Sequence, residues 1–317
     1  MDQTGNSGIS GNTESGQFAR MLPGDHAFVA YARETDRRNV LRAYLRGGLQ
    51  TSQRVAYLSG ERPEAVEDWL CGSDPLLRRG VASGQLQLLA AGGLAPGHTA
   101  VDPDRTLHGL QVMADEAITD GYPALRLAAD GEYLIQGLEP ERAGPFERDL
   151  TLLVEANRML ALCLYPAALL PAQLAACIAE GHAPAAGPAR AYERDGLRIT
   201  LTSSPPGLRL AGELDRRHLP AFTQRLAELV ESSGSIRLDM RCLTFIDVAA
   251  VTAIAHTAKG LDEGRQVVLD SPPSMAGRIL AKCWQGIPLP RLAVAAATRP
   301  RSAAGTTWTA YAAEQRA

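Results

Sequence analysis

The chain has 317 residues, of which 45% are hydrophobic and 21% charged, with a formal net charge of -3. This length suits two domains of ordinary size, and the composition is typical of a globular protein rather than a disordered one. The charge provides no basic footprint for nucleic acid, and no apolar run approaches the ~20 residues that a membrane helix needs. The five cysteines form no Cys-x-x-Cys pair, which indicates reduced thiols in a cytoplasmic protein.

Composition divides the chain into five parts. They are an N-terminal tail, a first domain, a linker, a second domain and a loosely ordered C-terminal extension, at residues 1–20, 21–182, 183–196, 197–296 and 297–317. The tail is polar and Gly/Ser-rich and lacks the apolar core of a signal peptide. The linker is predicted from the Pro/Ala/Gly stretch Ala183–Ala189, which has no periodic face.

In the first domain, strand-like and helix-like patterns alternate. The strand-like runs are Ala27–Tyr31, Val55–Leu58, Leu86–Leu89, Leu125–Ala128 and Leu160–Tyr165. The helical patterns are Val40–Leu49, Glu64–Leu70, Leu107–Thr119, Phe146–Asn157 and Ala172–Glu180. Such alternation predicts an α/β fold with a mostly parallel sheet and helices on both faces, and ligands on such sheets bind at the carboxyl ends of the strands.

Several short motifs occur in order along this domain. They are Gly24-Asp25-His26 and Tyr31 on the first strand, Arg126 and Asp130 on a later strand, Glu147 at a predicted helix start, Leu162–Tyr165, and Gly181-His182. Their order resembles the MEDS domain, a sensory module related in fold to RecA- and KaiC-type ATPases. The resemblance implies a RecA/KaiC-like sheet that binds a small ligand. The ligand-binding residues that it implies are Asp25, His26, Tyr31, Arg126, Asp130 and Glu147.

Each of these polar residues also has a purely structural interpretation. Asp25 and His26 could form a turn and a satisfied edge histidine, and Arg126 could pair with Asp130. Glu147 could favour the positive N-terminus of its helix. His182 follows the end of a predicted helix, where a cation is favoured in any case.

Catalysis is not expected from the first domain. The segment Ala32–Asn39, where nucleotide-hydrolysing relatives have a phosphate loop, contains neither glycine nor lysine, and Glu34 and Asp36 would repel phosphate. No Ser/His/Asp or Cys/His set is recognisable, and the histidines outside the motifs show no metal-ligand spacing. We therefore expect no enzyme activity, no cofactor and no metal. Nucleotide binding without a phosphate loop remains an open alternative.

In the second domain a pair of strands, Leu197–Leu201 and Leu208–Ala211, precedes a helix that begins at Pro220. An alternating strand then begins at Ile236, and an apolar-periodic helix begins at Val248 and ends at Gly260. A strand at Val267–Leu269 and a helix around Met275–Trp284 follow. The pattern predicts a small α/β domain with about four strands.

The hinge before the Val248 helix, together with the upstream element Gly212-Glu213-Leu214-Asp215, resembles the STAS domain of anti-sigma factor antagonists. In that family the hinge reads Asp-Ser-Ser-Gly, and the partner kinase phosphorylates a serine there. Here Val248 and Ala249 follow Asp247, and neither carries a hydroxyl. Thr244 and Thr252 are the nearby hydroxyls, but neither occupies the position of the serine. The resemblance thus implies a docking module without its usual phosphorylation switch.

The resemblance implies that the second domain binds an anti-sigma factor or a related kinase-fold protein. The partner-binding residues that it implies are Asp215, Asp247, Val248, Ala249, Ala250 and Thr252. Asp215 and Asp247 could equally cap helices, and we expect Val251 to face the core with Ala249 and Ala250 outside. The alternative is a scaffold or self-association module, which would make the chain a homo-oligomer or part of a larger signalling complex.

Overall fold

The computed structural model describes residues 18–72, 74–90, 102–132, 140–170, 172–182, 190–203, 205–232, 234–285 and 287–295. Nearly all of the predicted tail, the stretch Ala183–Ala189 and the predicted C-terminal extension lie outside these residues. Within the described residues, no helix has the length and apolarity that a membrane span requires.

The first domain contains a parallel sheet of five strands in the order β1-β5-β4-β2-β3. Its strands are β1 His26–Tyr31, β2 Arg54–Ser59, β3 Leu86–Ala90, β4 Leu125–Asp130 and β5 Met159–Pro166. Its helices are α1 Glu34–Gln50, α2 Pro63–Cys71, α3 Pro75–Ala82, α4 Pro103–Thr119, α5 Pro140–Ala156 and α6 Ala172–His182. The predicted parallel sheet is confirmed.

Helices cover both faces of this sheet, and the interior strand β5 shows how the two faces are separated. Alternate side chains of a strand point to opposite faces. Cys163 and Tyr165 therefore join the core formed with α4, α5 and α6, whereas Leu162 and Leu164 join the core formed with α1, α2 and α3. Nearly every residue of β5 is buried, as expected for a strand with helices on both sides.

The second domain contains a mixed sheet of six strands in the order β11-β10-β9-β8-β7-β6. Its strands are β6 Arg190–Arg194, β7 Leu197–Ser203, β8 Pro206–Leu214, β9 Ile236–Ile246, β10 Val267–Asp270 and β11 Leu292–Ala295. Its helices are α7 Leu219–Ser232, α8 Val248–Gly260 and α9 Ser274–Cys283. One core joins the three helices to the sheet. The predicted small α/β domain is confirmed.

The structure differs from the predicted elements in four places. The helix α3 and the two outer strands β6 and β11 were not predicted, since they are short, with eight, five and four residues. The strand β6 lies in the segment that was predicted as linker, so the second sheet begins at Arg190. The helix α5 begins at Pro140 and continues through Gly144 and Pro145, two residues that disfavour helix interiors. The prediction had begun this helix at Phe146.

The two domains contact each other through the start of β1 and the end of α5. The guanidinium of Arg198 on β7 forms an ion pair with Asp25, the residue before β1. Arg209 on β8 lies 3.5 Å from Glu155 of α5 and 3.1 Å from Asp239 of β9. The Cys242 Sγ lies 3.3 Å from the carbonyl oxygen of Asn157. The face of the second sheet that carries Arg209 and Cys242 therefore packs on the first domain.

Candidate functional site

A buried polar cluster surrounds Glu147 in the first domain. Its Oε2 lies 3.5 Å from the Nε2 of His26, 3.4 Å from the Nε2 of His182 and 4.0 Å from the Sγ of Cys163. The hydroxyl of Tyr165 donates a hydrogen bond to its Oε1. The side chains of His26 and Glu147 are each 1% exposed, and that of His182 is 3% exposed. We call these five residues the Glu147 cluster.

Strand alternation and helix packing bring the cluster together. His26 on β1 and both Cys163 and Tyr165 on β5 project from neighbouring strands toward α5. Gly181 lets α6 approach α5 closely, because a Cβ at this position would lie 2.5 Å from the Cβ of Glu147. The same approach places His182, the last residue of α6, beside the carboxylate.

Hydrogen bonds fix the proton positions on the two histidines. The Nδ1 of His182 lies 2.8 Å from the carbonyl oxygen of Ile178, which can only accept, so Nδ1 carries the proton. The Thr151 hydroxyl donates to the carbonyl oxygens of Gly181 and Glu147, so its oxygen accepts from the Nδ1 of His26 at 2.8 Å. Both histidines therefore present an Nε2 lone pair to the Glu147 carboxylate.

Burial shifts the pKa values of the Glu147 cluster toward the uncharged forms of its members. Burial raises the pKa of Glu147 to about 7, although the hydrogen bond from Tyr165 acts to lower that pKa. It lowers the pKa of His182 to about 4 and that of His26 well below its ordinary value, with His182 adding to the effect on His26. Burial also raises the pKa of the Cys163 thiol. At neutral pH both imidazoles are thus uncharged, as ligands of a cation or acceptors from a polar ligand must be.

The types of donor atom in the cluster are those that bind transition metals: two imidazole nitrogens, one thiol and one carboxylate. No metal was expected from the sequence, but the spacing argument concerned the histidines outside the motifs and not these four residues. They come from β1, α5, β5 and α6, and only the fold brings them together. Polar residues at positions 26 and 163, within otherwise apolar buried strands, were the available signal.

Of the six predicted ligand-binding residues, only His26 and Glu147 meet in this cluster. Tyr31 and Asp130 lie on the opposite face of the sheet, toward α1. The Asp130 carboxylate there accepts hydrogen bonds from Arg37 at 2.9 Å, from Tyr57 at 2.8 Å and from Ser59 at 2.8 Å. Burial raises the pKa of the Tyr31 hydroxyl to about 12. This second network is saturated with internal partners.

The other two predicted ligand-binding residues have structural partners. Arg126 is 1% exposed and donates to the Gln53 Oε1 at 2.7 Å and to the carbonyl oxygen of Met21 at 3.2 Å. It does not pair with Asp130, which was the structural alternative for these two residues. Asp25 accepts from the backbone N–H of Leu22 and pairs with Arg198 across the domain boundary. Glu147 likewise does not lie at a helix start, since α5 begins seven residues earlier.

The hinge of the second domain begins with the cap that the sequence predicted. The carboxylate of Asp247 accepts a hydrogen bond of 2.8 Å from the backbone N–H of Ala250. Val248 is 53% exposed, whereas Ala250 is fully buried, so the expectation that Ala250 faces outward was wrong. Position 250 faces the core because it is one helical turn from Ile254, a core residue. Phe245, two residues before Asp247, is 38% exposed and was not among the predicted partner-binding residues.

The remaining predicted partner-binding residues lie around this hinge. Ala249 and Thr252 are half-buried on α8, and Val251 is buried as predicted. Asp215 does not cap a helix in the predicted way. It accepts from the backbone N–H of Arg217 at 2.9 Å and pairs with the side chain of that residue, ahead of α7.

Comparisons with known proteins agree with this architecture. Residues 25–183 match the family described as "MEDS: MEthanogen/methylotroph, DcmR Sensory domain", and residues 197–283 match the one described as "Mlab, STAS domain". A sensory domain followed by a STAS domain places the protein in the class of signalling regulators. The chain belongs to the MEDS sensory-domain family, since that match spans half of its length.

Solved structures with a similar fold include two archaeal proteins. One is the flagellar accessory protein FlaH from Methanocaldococcus jannaschii, with 15% identity and a TM-score of 0.38, covering 55% of this chain and 75% of that chain. The other is a KaiC-like protein from Pyrococcus horikoshii OT3, with 12% identity and a TM-score of 0.40, covering 59% of this chain and 85% of that chain. No curated protein sequence matches the chain.

Proposed function

We propose that the chain is a non-enzymatic cytoplasmic regulator in which the Glu147 cluster senses a small ligand and the STAS domain binds a partner protein. The observation that carries this proposal is the arrangement of side chains along α5. Glu147 belongs to the cluster, and Thr151 hydrogen-bonds the ring of His26 within it. Glu155, on the same helix, lies 3.5 Å from Arg209 of the STAS domain. Residues four apart lie on one face of a helix, so one rigid element connects the two sites.

A second connection supports the same coupling. His26 contacts Glu147 in the cluster, and the preceding residue, Asp25, pairs with Arg198 of the STAS domain. A ligand that moves β1 or α5 would therefore alter contacts on both sides of the domain boundary. Such a ligand shifts the equilibrium only if it binds one arrangement of the domains better than the other.

The partner-binding surface that we propose is centred on Phe245 and Val248. Both are large apolar side chains exposed within three residues of each other at the hinge, and exposed apolar side chains that cluster are typical of a protein-binding patch. The partner class that the resemblance favours is an anti-sigma factor or a related kinase-fold protein. Because Val248 and Ala249 cannot be phosphorylated, we propose that control comes from the first domain and not from a phosphoserine at the hinge.

The experiment that tests the partner surface is affinity capture with the full chain, with and without ATP. We expect an anti-sigma kinase to be retained equally in both conditions, and Val248→Asp to abolish its retention. Val294→Asp is the matched control, because Val294 is 59% exposed on β11, at the level of Leu269 and far from the hinge. Retention by Val248→Asp at the wild-type level would contradict the proposed surface.

The scaffold alternative is favoured by a different observation. The strand β11 lies at one edge of the second sheet, and Val294 on it and Ile287 before it are 59% and 49% exposed. An apolar edge strand is a template for pairing with another chain. Light scattering after size exclusion separates the two functions. A large assembly that Val294→Asp dissolves and Val248→Asp preserves would favour the scaffold.

A further inference from the structure

Three distances within the Glu147 cluster fit the edges of a tetrahedral metal coordination shell, and all four ligand atoms lie within 4.8 Å of one another. Nitrogen and oxygen ligands about 2.0–2.1 Å, and a sulfur about 2.3 Å, from a tetrahedral centre lie roughly 3.4–3.6 Å from one another. The Glu147 Oε2 is 3.5 Å from the His26 Nε2 and 3.4 Å from the His182 Nε2, and the His26 Nε2 is 3.4 Å from the Cys163 Sγ. The fourth distance, from Sγ to Oε2, is 4.0 Å.

The same distances are poor for hydrogen bonds between carboxylate and imidazole. Such bonds are typically about 2.7–3.2 Å long. The Nε2 of His182 is buried and has no hydrogen-bond partner among the described residues. It nevertheless points at an oxygen that also faces a second imidazole lone pair. A positive centre between these atoms would satisfy all of them at once.

The surrounding hydrogen bonds hold each ligand atom in the orientation that a metal requires. Histidine ligands donate their other ring N–H to an oxygen, which fixes the tautomer. Here His26 donates to the Thr151 hydroxyl and His182 to the Ile178 carbonyl oxygen, both at 2.8 Å. The Tyr165 hydroxyl holds the other oxygen of the Glu147 carboxylate.

Charge and ligand type select the kind of ion. A thiolate, a carboxylate and two neutral imidazoles carry two negative charges, so a divalent cation makes the buried site neutral. On binding, the Cys163 thiol proton, and that of Glu147 where present, pass to solvent. One sulfur with two imidazoles in a tetrahedral arrangement suits zinc and not magnesium or calcium, which prefer oxygen ligands.

We infer that the Glu147 cluster binds one divalent ion of the zinc class through the Nε2 atoms of His26 and His182, the Sγ of Cys163 and the Oε2 of Glu147. The role of this ion as the sensed ligand rests on the proposed function. Binding of the ion does not, and it is measured on the full chain without any partner. Either proposal can therefore fail while the other holds.

The test uses cobalt as a probe, since tetrahedral Co²⁺ with a thiolate ligand absorbs in the visible and shows a thiolate-to-metal charge-transfer band. The full chain is stripped with a chelator, titrated with Co²⁺ and then competed with Zn²⁺. We expect one equivalent of Co²⁺, intense visible bands together with the charge-transfer band, and displacement by an equal amount of Zn²⁺.

Variants assign the ligands. Cys163→Ser should lose the charge-transfer band, and Glu147→Gln and His182→Gln should each weaken binding. Thr151→Val removes the acceptor of the His26 ring and should lower affinity about 10- to 100-fold while the spectrum stays tetrahedral. Cys71→Ser is the control, because Cys71 is a buried thiol on the opposite face of the sheet. It should keep the stoichiometry and the spectrum.

Two results would overturn the inference. One is a stripped chain, folded by circular dichroism, that gives no tetrahedral spectrum at saturating Co²⁺. The other is a charge-transfer band that survives in Cys163→Ser, which would place the ion elsewhere. Affinity capture repeated with the stripped and the Zn²⁺-loaded chain then decides separately whether the ion controls the partner.

Discussion

At the scale of single residues, Gly181 decides how closely α5 and α6 pack. A Cβ there would lie 2.5 Å from the Cβ of Glu147 and 3.2 Å from the backbone nitrogen of Arg148. Neither neighbour can move away without displacing α5. The glycine therefore sets the position of His182 relative to Glu147 as well as the packing of the two helices.

We predict that Gly181→Ala lowers the free energy of unfolding by about 1–3 kcal/mol, as overpacking in a closed core does. Denaturant unfolding of the full chain is the measurement. Gly277→Ala is the control, because Gly277 lies in α9 with nothing within 4 Å of an added Cβ. That change should stabilise by about 0.5–1 kcal/mol through helix propensity. Equal stability of Gly181→Ala and wild type would mean that the helices separate more easily than their contacts imply.

The buried carboxyl of Glu147 makes stability depend on pH in the metal-free chain. Its pKa is raised to about 7 from an ordinary 4.5, so the folded state holds a proton that the unfolded state releases. The resulting stabilisation is complete below pH 4.5 and is lost as the pH rises through 7. By the size of this shift the loss is about 3 kcal/mol.

Glu147→Gln should remove the Glu147 contribution, so its stability relative to wild type should rise between pH 4.5 and 8. The opposite contribution of His26 and His182, whose lowered pKa values favour the folded state as the pH rises, stays in both proteins. Thermal unfolding of the two stripped chains across that range measures the difference. Glu155→Gln serves as the control, because Glu155 lies on the same helix, partly exposed at the domain boundary. If both variants retain the wild-type slope, another group carries the pH dependence.

The sequence predicted His26 and Glu147 as site residues but could not predict their neighbours. His182 was interpreted as a residue beyond a helix end, and Cys163 as a reduced thiol on a strand. Their proximity depends on β1 lying beside β5 and on α6 returning against α5. Neither pairing is encoded in the local pattern of charges or apolar residues, because His26 and Cys163 are 137 residues apart in the chain and Glu147 and His182 are 35 apart.

At the scale of elements, the start of α8 depends on one side chain. Asp247 satisfies the free N–H of Ala250 in the first turn. Capping carboxylates of this kind contribute about 0.5–2 kcal/mol, and asparagine is nearly as good a cap. The same turn presents Val248 to solvent, so the cap also positions the proposed partner surface.

Asp247→Ala should therefore lower the free energy of unfolding by about 1 kcal/mol and weaken partner capture, measured by denaturant unfolding and pull-down. Asp247→Asn should retain most of both. A loss of capture in Asp247→Asn with unchanged stability would instead indicate that the partner contacts the carboxylate directly.

The order of the elements was largely predictable, because strands with period-two alternation and helices with apolar stripes can be recognised from the local sequence. The exceptions have separate physical causes. The strand β6 lies at a sheet edge and is rich in charged residues, so it shows little apolar alternation. The helix α5 crosses Gly144 and Pro145 because packing against α6 and β5 outweighs their low propensity.

At the scale of the whole molecule, the domain boundary depends on a few polar contacts. Asp25 and Arg198 are 20% and 15% exposed, so their ion pair is partly shielded from solvent. Burial raises the pKa of the Cys242 thiol, at the same boundary, to about 12. This thiol should consequently resist alkylation as long as the domains stay together, while the exposed Cys283 reacts at once.

We predict that Arg198→Asp separates the domains, because it places two carboxylates opposite each other. Alkylation at pH 8, followed residue by residue by mass spectrometry, should then reach Cys242, with Cys71 in the first core still protected. Adding Asp25→Arg should restore protection by reversing the pair. Labelling of Cys242 in the wild type at the rate of Cys283 would show that the domains do not stay packed together.

The contacts between the two domains could not be predicted from the sequence. The predicted linker stretch Ala183–Ala189 lies outside the described residues. The contacts that the structure does describe run instead through Asp25, Glu155 and Cys242. Asp25 had been predicted as a ligand-binding residue and not as a domain contact. Glu155 and Cys242 are not distinguishable along the chain from an ordinary surface acid and core thiol, because their partners belong to another domain.

Asp25 and His26 are adjacent in the chain, although they contact different parts of the molecule. His26 contacts Glu147 in the Glu147 cluster, and Asp25 pairs with Arg198 of the STAS domain. A single peptide bond, which is planar and resists twisting, joins these two residues. No loop lies between Asp25 and His26 that could absorb a small displacement of His26 before it reaches the pair of Asp25 and Arg198. Sensing of this kind would therefore need neither a diffusible messenger nor the unfolding of any segment, and its speed would be that of side chains repacking.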